Sequence, residues 1–197
     1  MTWGEAKLAA LQKMFAASGA QITEDESTRE YLDAMPHAAS EAMLLLCSAR
    51  PLRKCVTLVR ETGTSPECWD LAQLAPDFAS ADGAEVYCAD THTPVAGAWL
   101  TAGQWLHLPP SAVGALEIWY TAMPPRVTAD TADDETLPLD EDAATLVPLY
   151  MASELYKDDD SAMATMYRNE FEAARAELRV RAGGEERGAW QSVSGWC

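Results

Sequence analysis

The chain is poor in positive charge. Lysine and arginine number 14 against 31 aspartates and glutamates, which leaves a formal charge of −17 over 197 residues. Such a surface repels phosphate, so it argues against a sequence-reading nucleic-acid binder and equally against an anionic membrane as partner. Long apolar runs are missing too, and none approaches the ~18 residues that a bilayer-spanning helix needs. The opening, MTWGEAKLAALQKMF, carries an acid near its start and no cleavage-site pattern, so no signal peptide is expected. Histidine is scarce: His37, His92 and His107 fall in different blocks, with no two at ligand spacing on a helix. His107, within an apolar strand pattern, reads as a satisfied, partly buried histidine. There is no His-Glu-x-x-His, no Gly-x-Ser-x-Gly, no phosphate-cradling glycine loop and no dinucleotide fingerprint. Catalytic residues, a cofactor and enzyme activity are therefore not expected. The five cysteines, at 47, 55, 68, 88 and 197, are odd in number and form no Cys-x-x-Cys pair. That spacing disfavours a zinc site and a disulfide framework. Cys47, Cys55 and Cys88 are expected as reduced core thiols of a protein made in a cytoplasm.

What is present is apolar material for one sizeable core or two small ones, at 48% hydrophobic residues. The most informative stretch is 139–181, two helix-pattern segments hinged on three aspartates and nearly free of glycine and proline. In its second half Met163, Tyr167, Phe171, Ala174 and Leu178 recur at helical spacing, leaving Arg168, Glu172, Arg175 and Arg179 on the opposite face. Asp158, Asp159 and Asp160 then sit where capping and first-turn carboxylates meet unpaired amides and the positive end of the helix dipole. The first half, with Leu139, Ala143, Leu146, Tyr150 and Ser153 on one side, is expected to fold back as the other arm of a long hairpin.

Three blocks and a tail follow. Residues 1–52 read as N-terminal helices, with Leu8, Leu11 and Phe15 in the first and a second running toward Ser48; Pro36 predicts a kink or restart near Met35. Residues 53–127 read as β-rich: 54–60 alternates with Cys55, Thr57 and Val59 on one side, and 85–89, 104–108 and 115–121 are further short runs punctuated by proline and glycine. That spacing predicts a small antiparallel sandwich or barrel, its core filled by Trp69, Trp99, Trp105 and Trp119. Residues 128–182 read as an acidic connector followed by the helical hairpin. The fold class expected is α+β: a helical bundle of N- and C-terminal helices with a small antiparallel β domain inserted, plus an extended tail at 183–197. Asp130, Asp133, Asp134 and Glu135 lack the glycine and glutamate positions of a calcium loop, so the connector reads as solvated and not as a metal site. Gly183 and Gly184 end the last helix and hinge the tail. The tail either folds back or lies loose, or it anchors to another protein through Trp190 and Trp196 on one face of an extended strand, with Val193 opposite.

The stretch PLDEDAATLVPLYMASELYKDDDSAMATMYRNEFEAARAEL resembles the C-terminal helices of head–tail connector (adaptor) proteins of tailed bacteriophages. TWGEAKLAALQKMF and DESTREYLDAMPHAASEAMLLL resemble their N-terminal helices, and SVSGW resembles a tail they often carry. The resemblance implies a structural virion protein at the head–tail junction. It implies a ring, commonly dodecameric, beneath the portal protein, with a tail or stopper protein downstream and double-stranded DNA passing through the lumen without specific binding. The tail residues Trp190, Val193 and Trp196 would then meet the portal. The rival reading is a monomeric β-domain module that recognises a host or regulatory protein.

Overall fold

The computed structural model describes residues 1–14, 22, 26–101 and 103–183. Helix α1 (Trp3–Lys13) starts on a capping box: the Glu5 amide donates to Thr2 Oγ1 at 3.2 Å and the Thr2 amide to Glu5 Oε2 at 2.7 Å. Helix α2 (Glu26–Ala49) runs unbroken through Pro36, so the chain does not restart there. Ser40 Oγ donates to Pro36 O at 2.9 Å and accepts from the Val127 amide at 3.0 Å, tying that stretch to the connector.

Among the described residues six strands follow, in two antiparallel sheets. β1 (Leu52–Arg60), β6 (Gly114–Ala122) and β3 (Phe78–Cys88) form one, in the order β1-β6-β3; β2 (Glu67–Asp70), β5 (Trp105–Leu108) and β4 (Trp99–Thr101) form the other, in the order β2-β5-β4. The short helix α3 (Leu71–Leu74) lies between β2 and β3 in the chain. Each sheet turns its aliphatic row inward, Leu58, Leu116 and Ile118 from one meeting Leu106 and Leu108 from the other, so the sheets pack face to face around a core of their own. Asp82–Gly83, which reads as a turn, lies inside β3: the six residues from Ser80 to Glu85 oppose the three from Thr121 to Trp119. Gly83, at φ +65°, supplies the left-handed residue of that bulge.

Arg60 is the one buried cation among the described residues, 3% exposed. Its guanidinium donates to Pro109 O at 2.6 Å, Ala112 O at 2.9 Å and Ser65 O at 2.5 Å, and its Nε lies 3.3 Å from Glu67 Oε1. Three loop carbonyls are thus satisfied from one strand end. On the same inner side Asp77 joins β1 to β6. It accepts from Lys54 Nζ at 2.6 Å and Tyr120 Oη at 2.7 Å, and these donors hold its carboxyl below the usual range.

After the connector come α4 (Glu141–Ala144), α5 (Val147–Leu155) and α6 (Ser161–Gly183). The expected architecture, a helical bundle bearing a small inserted β domain, is corrected here. The two sheets make a substantial body with its own core, and the helices do not assemble as a bundle. The predicted first arm of the hairpin breaks, because Pro148 sits in the first turn of α5 and restarts the helix after the four-residue α4. The eleven-residue α1 packs on α5, and α5 is the element that α2 and α6 also meet. Connector residues Val127 and Leu137 fill the same core, and Thr2 forms a bridge with Thr136. The extended tail of the expected fold lies outside the described residues.

Phe171, fully buried, is the largest side chain at the centre of this helical layer. It meets Tyr150 edge-on, with ring centroids 5.0 Å apart and planes at 64°. Arg168 lies over the ring of Tyr150, 4.7 Å from its centroid, and Arg175 Nε donates to Leu45 O at 2.9 Å. Both arginines, read as outward-facing, therefore lie along the packed seam of α6.

Candidate interaction surfaces

The three aspartates before α6 occupy three different situations. Asp160 caps the helix, its Oδ1 accepting from the Ala162 amide at 2.9 Å and the Met163 amide at 3.1 Å. Asp159 accepts a short hydrogen bond from Tyr31 Oη of α2, and that bond pushes the Tyr31 hydroxyl up to about 12. Asp158 is exposed. Among the described residues, no three His, Cys, Asp or Glu side chains converge as a metal site. Gly183 is the last residue of α6. Gly184, Trp190, Val193 and Trp196 lie outside the described residues.

Among the described residues most of the lysines and arginines are engaged in ion pairs. Lys7 pairs with Asp133 at 2.6 Å, Arg50 with Asp140 and Asp142, Arg53 with Glu85 at 3.6 Å, and Arg168 and Arg175 with Glu172 at 3.2 and 3.0 Å. Carboxylates outnumber cations by 31 to 14 and are distributed over both the sheets and the helices. Where the helical layer meets the larger sheet, a groove of about 970 Å³ is lined by Arg50, Leu52, Asp82, Leu139 and Asp142. It carries both signs of charge.

The smaller sheet has an aromatic outer face. Trp99 is 51% and Trp105 40% exposed, so the expectation that strand tryptophans fill the core is corrected for both. The reason is register: Leu106 and Leu108 take the inner side of β5, which puts Trp105 and His107 outside. Two cross-strand rows result, Cys68–His107–Trp99 and Asp70–Trp105–Thr101. The Trp99 and His107 rings stack at 4.9 Å with planes 5° apart. Thr101 Oγ1 lies 2.7 Å and Cys68 Sγ 3.8 Å from His107 Nε2. Trp69 points inward and packs on the sandwich core, whereas Trp119 is half-buried in the outer row of the larger sheet. The signal for the aromatic face was present in the alternation Trp105-Leu106-His107-Leu108, with the leucines marking the buried side.

The cysteines are also corrected. Cys55 is exposed, and Cys47 and Cys88 are half-buried. Burial still pushes the Cys47 thiol up to about 11, and burial with the Glu117 charge raises Cys55. Cys88, at the end of β3, is lowered by the Thr91 hydroxyl and the Asp90 and Thr91 amides, which favour its thiolate. At neutral pH a limiting dose of iodoacetamide should therefore label Cys88 ahead of Cys55 and Cys47. Peptide mapping that finds Cys47 modified first would contradict this ordering. Cys197 lies outside the described residues.

A family described as SU10 adaptor protein matches residues 54–194 of the chain. No curated protein matches it significantly.

Proposed function

The chain belongs to the SU10 adaptor family, structural proteins of the phage particle that contact other head and tail proteins, and from that premise we propose a specific place for it. Copies of this chain form a closed ring below the portal, link capsid to tail and extend the channel through which DNA leaves. The observation that carries the channel role is the surplus of carboxylate on a molecule of charge −17, most of whose described cations are already paired internally. A ring of such subunits presents a wall that DNA slides along, because the sequence holds no cluster of lysine and arginine dense enough to displace counterions from phosphate. The exposed apolar side chains Leu44, Val59 and Met166, spread over helices and sheet, suit a subunit with neighbours on more than one side.

The portal contact in this proposal is the tail. Trp190, Val193 and Trp196 follow the end of α6 by seven or more residues, a reach that lets two indoles enter pockets on another protein. A tryptophan anchor at the centre of an interface costs about 2–4 kcal/mol on truncation, so losing two abolishes docking. Removal of 185–197 should eliminate capture by immobilised portal and leave the melting temperature of the subunit unchanged. Capture that persists, or a collapse in thermal stability, contradicts the anchor assignment.

A further inference from the structure

Residues 61–125 contain no lysine or arginine and eight carboxylates. All three strands of the smaller sheet come from that stretch, so its outer face has no cation of its own. The cations of the strand region, Arg53, Lys54 and Arg60, all belong to β1 in the other sheet, and Arg60 is buried inward. On this cation-free face stand two tryptophans that are 51% and 40% exposed. An indole is the strongest aromatic partner for a cation, and one face of Trp99 is already taken by the stacked His107, leaving the other open.

Asp70 completes the pattern. It is directly opposite Trp105 in the β2–β5 register, a spacing that sets the two Cβ atoms about 5 Å apart. Its two hydrogen bonds, from the Ala72 amide at 3.0 Å and Gln104 Nε2 at 3.3 Å, both use Oδ1. Oδ2 is left for an incoming donor. An exposed indole beside a half-committed carboxylate is the arrangement that a guanidinium fits, its plane stacked on the ring and its edge donating to the oxygen.

We propose that the outer face of the β2-β5-β4 sheet docks an arginine-bearing segment of a different protein, with Trp105 and Asp70 holding the guanidinium and Trp99 extending the platform. Charge complementarity selects this occupant. The face is aromatic but not aliphatic, and it lies on a strongly acidic molecule in its least basic stretch. A second copy offers a worse fit, since most of its described cations are paired with its own carboxylates. The proposal does not rest on the portal or ring assignments.

The test is an NMR titration of the full chain, reading the indole N–H signals assigned by single substitutions. The probe is the blocked peptide Gly-Arg-Gly-Arg-Gly, with its lysine and glutamate counterparts as controls. Trp99 and Trp105 signals should move saturably with the arginine peptide, less with lysine and not with glutamate. The double variant Trp99→Leu/Trp105→Leu should bind about tenfold more weakly. Both side chains are largely exposed, so the fold should survive; if that variant fails to fold, Trp99→Phe/Trp105→Phe carries the test, with an intermediate loss. Equal binding by the leucine variant would assign the effect to the general negative field and overturn the proposal. So would equal response to the glutamate peptide. Indole shifts that appear on raising protein concentration and block the peptide would give the face to a second copy, which also overturns it.

Discussion

Arg60→Leu should unfold the sandwich more readily than any surface change, costing about 3–5 kcal/mol. The substitution leaves the Ala112 and Ser65 carbonyls without their Arg60 donor, Pro109 O with the Ala112 amide alone, and Glu67 without its charge partner, all beside the core formed by Leu58, Leu106 and Leu108. Each buried acceptor stranded in this way costs roughly 1–3 kcal/mol, and loop relaxation toward water recovers part of the sum. At the size of this chain the melting temperature should fall by about 10 °C. Arg60→Lys keeps the charge but cannot fork across three carbonyls, so it should lose roughly half as much. A melting temperature unchanged in Arg60→Leu would show that the loops 61–66 and 109–113 are held by something else.

Phe171→Ala should weaken the helical layer by about 3–5 kcal/mol, the range for a fully buried aromatic truncated in a core that cannot collapse. Phe171 is held from α2, α5 and α6 at once, and its edge-on contact with Tyr150 is lost with it. Tyr150 is itself pinned by its hydroxyl on Glu41 Oε2 at 3.1 Å and by Arg168 over its ring. The ring is therefore not free to swing into the cavity. Phe171→Leu retains most of the volume and should cost less than half as much. Denaturant curves for the two variants measure the difference; equal destabilisation by leucine and alanine would mean that ring shape, not volume, sets the cost.

Where the helical period was long it could be read directly. The stripe Tyr167, Phe171, Leu178 forms the buried face of α6, and the alternation of 115–121 places Leu116 and Ile118 inward in β6. Side assignment was harder in β1, where the row Cys55, Thr57, Val59 is as apolar as Val56, Leu58, Arg60. The structure buries the second row, because Arg60 finds three carbonyls there, and Val59 is left 66% exposed. Nothing in a single strand's pattern announces those distant acceptors. β2 and β4, at four and three residues, are too short for periodicity to register, and without them the aromatic face of their sheet is not visible. The helices depart from a bundle for a related reason. Pro148 breaks the first arm from within a helical pattern, and Val127 and Leu137 enter the core from a segment that composition marks only as polar and acidic.

The central claim is that this adaptor acts as a ring on the portal, and cryo-electron microscopy of the purified full chain mixed with portal tests it most directly. The account predicts a closed ring of copies coaxial with the portal channel, with carboxylate-bearing surface toward the lumen. A single copy per portal, or a closed ring whose lumen is lined by lysine and arginine, would contradict it.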